Sequence, residues 1–285
     1  KGAYRPAGIT VDGANGGGEW TTNMLVALDM ANDDPRSLGS NWTMHEAPAD
    51  LTHLWACWDD TKLYLAWQFA DVTDKLDPSN AGSALGGRIS NSQGILQFIS
   101  FDTIAAQGAA SNMWGKLDRM TGSNLPDYQI GLRSDLYSAY ISRSVDGIFA
   151  GDAGLGVDYF TAAAKSITIA RAPGLASPTL YGAWDLDTYL ANTNSALTEF
   201  VGTGHDTSRD SFYEIAIPFT ALGITKAQIE SSGIGVFINV GSASSIDCIP
   251  NDPATLNTPG VTGSNSTWEW EDGDQFNVPY VRIGN

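Results

Sequence analysis

Leu51 to Val72 reads LTHLWACWDDTKLYLAWQFADV. Two runs rich in aliphatic and aromatic residues flank Asp59-Asp60-Thr61-Lys62, a polar tetrapeptide with the chemistry of a hairpin turn. In the second run Leu63, Leu65, Trp67 and Phe69 fall on one face by the two-residue repeat of a strand. Tyr64, Ala66 and Gln68 fall on the other. A helix would scatter both sets around its axis, so this segment predicts an antiparallel strand pair with one face on a core.

The same rhythm continues outward. Strands are predicted at Ile95–Phe101, Gln129–Leu132, Tyr137–Ile141, Ser166–Ile169, Phe212–Ile217, Gly235–Val240 and Phe276–Ile283, separated by stretches rich in Gly, Ser, Asn and Asp. Such spacing predicts an all-β, two-sheet antiparallel β-sandwich, jelly-roll-like, with long loop insertions and one or two short helices. One helix is expected to open at Thr225-Lys226-Ala227-Gln228, which fits a capping box after the strand ended by Pro218. No internal repeat, heptad pattern or dividing linker is visible, and residues 1–285 are expected to form a single domain. From Asp102 to Asn124 the strand rhythm breaks down. The residues there are mostly small and polar, with Trp114 in their midst, and a long loop holding an aromatic points to function.

The 285 residues carry 15 Lys+Arg against 32 Asp+Glu, a formal net charge of −17. That field repels phosphate backbones and anionic lipid heads, so nucleic acid and membrane surfaces are excluded as expected partners. With 42% hydrophobic and only 16% charged residues, the chain is not a disordered acidic tail. No charged-then-apolar leader follows Lys1, so a secretion signal is expected to be absent or already removed. Nine Trp, ten Tyr and 31 Gly with few Lys read as a processed piece of a secreted, extracellular protein. For the two cysteines, Cys57 and Cys248, a single bridge and two separate buried thiols are equally compatible with the sequence.

Signatures of catalysis are missing: G-x-S-x-G, H-E-x-x-H, the P-loop and G-x-G-x-x-G do not occur. His45, His53 and His205 have no i, i+4 partner among themselves. Glu269 and Glu271 share a face of TWEWEDGDQF and imitate a glycosidase pair, but with Asp272 and Asp274 beside them a solvated edge or cation site is the simpler reading.

Two constellations carry chemistry. LDMANDDPRSLGSNW and PADLT supply Asp29, Asp33, Asp34 and Asp50, hard oxygen ligands suited to a structural calcium ion (Ca2+) in an irregular loop; capping of turns by Asp29 and Asp33 competes with that reading. Asp247 and Asp252 form a second, weaker acidic turn. The other constellation is aromatic. A sugar presents an apolar face of C–H groups and a rim of hydroxyls, which indole rings and polar side chains complement. Trp114, flanked by Asn112 and Lys116, is the first candidate for carbohydrate binding; Trp184, beside Asp185 and Asp187, is the second. Trp67 is the third, although its strand position favours core packing, and Trp20, Trp55 and Trp58 are assigned to the core.

ITVDG at Ile9–Gly13, the segment Leu51–Val72, FYEIAIPFTALGI and GIGVFINV together resemble successive strands of the family 9-like carbohydrate-binding sandwich, a group that includes DOMON-type domains. The D-x-x-x-D-D turn is similar to one that contributes calcium ligands in related sandwiches. The long insertions, SIDCIPNDP and the ending EWEDGDQFNVPYVRIG look most like carbohydrate-binding module family 74, starch-binding modules attached to secreted amylases of gut and rumen bacteria. The resemblance implies a non-catalytic module, monomeric within a multidomain chain, that binds α-1,4-glucan as starch, granular or helical. Two rivals follow from the residues. A haem-binding DOMON-type domain would draw axial ligands from Met24, Met30, Met44, His45 and His53. A glycosidase or lyase would use Glu269 or Glu271.

Overall fold

A computed structural model describes residues 1–14, 18–29, 50–70, 96–103, 108–110, 112–114, 120–121, 125–133, 139–149, 158–173, 211–241, 245–250, 276–277 and 280–285. Sixteen strands occur among them. They are β1 (Ala3–Tyr4), β2 (Leu25–Leu28), β3 (Asp50–Trp58), β4 (Lys62–Ala70), β5 (Leu96–Asp102), β6 (Met120–Thr121), β7 (Tyr128–Arg133) and β8 (Ala139–Val145) in the first half. The second half adds β9 (Ile148–Phe149), β10 (Tyr159–Thr161), β11 (Thr168–Pro173), β12 (Ser211–Pro218), β13 (Ile234–Gly241), β14 (Ser245–Ile249), β15 (Phe276–Asn277) and β16 (Val281–Ile283). One α-helix, α1 (Lys226–Ser232), lies among the described residues.

These strands form two main sheets, an all-β sandwich. The first has the order β1-β3-β4-β12-β11, with β2 also on β3. The second has the order β10-β8-β7-β5-β13-β14, with β16 on β13 and β9 on β8. Pairing is antiparallel throughout both except where β1 runs parallel to β3.

The hairpin β3–β4 behaves as its alternation dictates. Leu63, Leu65, Trp67 and Phe69 are fully buried in the main core, facing Ile99, Ile130, Val236 and Ile238 of the second sheet. Each such side chain contributes about 1.5–3 kcal/mol by leaving water. The turn is closed by Asp59. Its Oδ1 accepts from the backbone N–H of Thr61 (2.6 Å) and Lys62 (2.7 Å), and its Oδ2 from the Tyr64 hydroxyl (2.7 Å). Partial burial alone would raise the Asp59 pKa, but these donors outweigh it and hold the carboxyl below its ordinary range.

Both faces of the first sheet are covered. Trp55, Cys57, Tyr64, Ala66, Phe212 and Ala216 form a second apolar layer under Ile9, Trp20 and Met24 of the N-terminal segment. The Tyr64-Ala66-Gln68 face is therefore buried as well.

Helix α1 starts where the capping box predicts: the Thr225 hydroxyl oxygen accepts from the Gln228 N–H. The reciprocal half differs. Gln228 Nε2 donates to the Thr103 carbonyl at 2.9 Å and ties the helix to the end of β5. Cys57 and Cys248 are both buried and neither is in a disulfide, which resolves the alternative left open by the sequence. No helix among the described residues is long and apolar enough to cross a membrane.

Candidate functional site

Alternation on the second sheet sends Ile99, Ile130 and Ile141 inward, so Phe98, Gly131, Tyr140 and Tyr159 point outward. The turn at residues 112–114 lies on this outer face. It is held there by buried polar groups. Gln129 Oε1 accepts from the Met113 N–H at 2.7 Å, and Gln129 Nε2 donates to Ser100 Oγ at 3.0 Å. Asn112 Oδ1 accepts from the Trp114 N–H at 3.0 Å. A buried turn needs every such donor matched.

The Trp114 indole then settles among three rings. Its Nε1–H donates to the Tyr159 hydroxyl at 2.9 Å. It meets Phe98 edge-on at 5.4 Å between centroids and Tyr140 edge-on at 6.4 Å, while Tyr140 and Tyr159 stack at 5.1 Å. Close approach to the sheet depends on Gly131. An added Cβ there would lie 2.7 Å from Met113 Sδ and 3.2 Å from the Trp114 ring. Phe98 and Tyr159 are buried, whereas Trp114 and Tyr140 each keep part of their surface exposed. The outcome is a fixed aromatic patch on an outer sheet face, with two rings reaching solvent.

The sequence candidates fare differently. Trp114 lies on this patch. Asn112 lies beneath it at 2% exposure, so it supports the turn and does not reach a ligand's rim. Trp67 must be removed from the sugar-contacting set: it is 0% exposed, stacks on Tyr213 at 5.4 Å and donates its indole N–H to Gln97 Oε1 at 2.7 Å. The strand repeat points it inward, and its polar atom is satisfied inside the core. Trp184 and Lys116 lie outside the described residues, as do Glu269 and Glu271. Sequence reading missed Tyr140 and Tyr159. The signal was the tyrosine two residues before Ser142 on an outward-facing row, which becomes readable only once the register is known.

Of the proposed calcium ligands, Asp33 and Asp34 lie outside the described residues, and Asp50 opens β3 with its side chain undescribed. Asp29 follows β2, is 3% exposed and donates its backbone N–H to the Thr52 carbonyl at 2.9 Å. Another acidic group does assemble: Asp12, Glu19 and Glu214 bring carboxylate oxygens within 4.8 Å of one another. Glu214 was not singled out from sequence. It is fully buried on the outer face of the first sheet, and its oxygens accept from Trp20 Nε1 (2.6 Å), the Gly13 N–H (2.7 Å) and the Asp12 N–H (2.9 Å). Burial pushes its pKa up, and the three donors offset this only in part. Its role is to anchor the N-terminal segment.

Of the axial ligands imagined for a haem, Met30, Met44 and His45 lie outside the described residues. Met24 packs in the apolar layer under the N-terminal segment. His53 is 1% exposed, stacks flat on Trp55 at 5.2 Å and pairs its Nδ1 with Thr52 Oγ1 at 2.9 Å. Burial pushes its pKa down to about 3, so the ring is neutral at ordinary pH.

No protein-family model matches the chain, and no curated protein does. Among solved structures it is similar to a carbohydrate-binding module of family 9 from Caldicellulosiruptor kristjanssonii in complex with glucose, at 13% identity and a TM-score of 0.31. That likeness spans 84% of this chain and 76% of the other. At such a TM-score it carries no weight for function, and the functional reading rests on this chain's own residues.

Proposed function

We propose that this chain is a non-catalytic carbohydrate-binding domain that holds α-1,4-glucan against the outer face of its second sheet. The observation that carries the reading is the pair Trp114 and Tyr140. Both rings are partly exposed on one sheet face, and hydrogen bonding to Tyr159 and edge packing on Phe98 fix their positions. An immobilised aromatic surface meets the C–H face of a pyranose with little ordering cost, which is where preorganised sites gain affinity. Trp184 and Lys116 complete the proposed contacts. The domain works as a monomer within a longer, secreted chain and keeps an appended amylase on starch. A structural calcium ion bound through Asp29, Asp33, Asp34 and Asp50 belongs to the same proposal.

Retention on insoluble starch tests it. Trp114→Ala and Tyr140→Ala each weaken retention by about tenfold relative to the parent, the scale of one lost aromatic contact. Unchanged retention in both variants removes this face from the site.

A further inference from the structure

The alternation that aims Tyr140 and Tyr159 outward aims Ile141, Arg143 and Phe160 the other way. At the end of the sandwich this inward row reaches solvent. Together with Tyr128, Asp158 and Lys165, and with Thr220 and Ala221 from the turn after β12, it lines a cleft of about 350 Å³. That volume lies at the small end of ligand pockets, which span about 300–1,000 Å³. Its floor is apolar: Ile141 and Ala221 are buried and Tyr128 nearly so. Its rim is charged, and the charge is unlike the rest of the molecule. Arg143 and Lys165 face one carboxylate, Asp158, giving a net positive site on a chain of net charge −17. Neither cation is in an ion pair among the described residues.

The local structure holds these groups in place. Arg143 sits opposite Tyr128 in the β7–β8 register, and its backbone N–H donates to the Asp158 carbonyl at 3.0 Å. Lys165 ends a single 3-10 turn (Ala163–Lys165), with its ammonium 3.8 Å above the centre of the Phe160 ring. An arginine on a row that otherwise feeds the core, and a lysine held over an aromatic, face the same space.

We propose that this cleft binds one hexuronate unit, a pyranose that carries a carboxylate. The guanidinium of Arg143 and the ammonium of Lys165 take the carboxylate, for which cationic hydrogen-bond donors are the usual partners. Asp158 accepts from ring hydroxyls, and Thr220 and Tyr128 add hydroxyls along the wall. Asp158 also sets the charge: one net positive charge neutralises a monoanion and leaves one charge of a phosphate dianion uncompensated. The apolar floor admits a ring and gives nothing to a bare carboxylate such as acetate. This site stands on different residues from the Trp114 face, on the opposite side of the same sheet, so the two readings fail separately.

Amide chemical-shift titration of the chain with D-glucuronate tests it, with glucose, acetate and inorganic phosphate as comparison probes. D-glucuronate shifts the amides of Arg143, Asp158 and Phe160 at concentrations where the other three do not, and added salt weakens the effect. Arg143→Gln and Lys165→Gln each weaken D-glucuronate binding roughly tenfold or more, as loss of a charged hydrogen bond requires. Both side chains lie at the surface, and the variants' spectra report whether the fold persists. The proposal is overturned by any of three results: no shifts with D-glucuronate, equal shifts with glucose, acetate or phosphate, or variants that bind as the parent does.

Discussion

Glu214 shows how much one residue can decide. In the sequence it is the polar letter in FYEIAIP, at an alternation position facing away from the main core. In the fold that face is buried, and the carboxylate gathers three N–H donors from the first twenty residues. Replacing it by Ala strands the buried N–H groups of Trp20 and Gly13, each at about 1–3 kcal/mol, while the Asp12 N–H can turn to water. Glu214→Ala is therefore expected to lose about 3 kcal/mol or more in urea unfolding, and Glu214→Gln less, because an amide oxygen still accepts. An Ala variant as stable as the parent would show that the N-terminal segment is anchored elsewhere. Asp59 illustrates the opposite case, since its turn chemistry is local and was legible in DDTK without tertiary context.

At the scale of elements, the β5–β7–β8–β10 surface and the turn across it form one unit. Strand β7 carries Gln129 and Gly131 on its outer face; the first binds the turn's backbone and the second makes room for its rings. Gly131→Ala places a methyl group against Met113 and Trp114. Overpacking of this kind costs roughly 1–3 kcal/mol, more than the gain from a less flexible unfolded chain. A fall of that size in denaturant unfolding is the expected outcome, and unchanged stability would mean that the indole does not rest on this strand. Strand positions were readable from alternation to within a residue or two at Leu96–Asp102, Tyr128–Arg133 and Ser211–Pro218. Short strands such as Leu25–Leu28 and Tyr159–Thr161 were not, because three or four residues hold too little periodicity to be distinguished from loop.

Across the whole molecule, the two cysteines report on layering. Cys57 packs under the N-terminal segment on the outer face of the first sheet. Cys248 pairs in register with Asn239, which pairs with Phe98, and so lies on the outer face of the second. The sulfurs therefore point away from each other across a sandwich whose sheets stand about 10 Å apart, beyond disulfide reach. Burial also pushes the Cys57 thiol up to about 12, leaving little thiolate to react. A thiol reagent near pH 8 should find neither group in the folded chain and two per chain in denaturant. No reactive thiol in the unfolded chain would mean a bridge, and fast reaction when folded would mean an open layer.

What the amino-acid sequence determined by itself is what depends on near neighbours: the strand repeat, the Asp59 turn, the Thr225 cap and the absence of familiar catalytic motifs. The all-β class follows from these, since a two-residue hydrophobic period permits little else. Which indole is sealed and which reaches water was decided only by tertiary structure. Trp67 and Trp114 both read as aromatic residues in suggestive surroundings, yet one faces the opposite sheet and the other lies on an outer face. Alternation says that two sets of side chains part company. Only the pairing of distant strands, and the segments that cover them, says what each set meets.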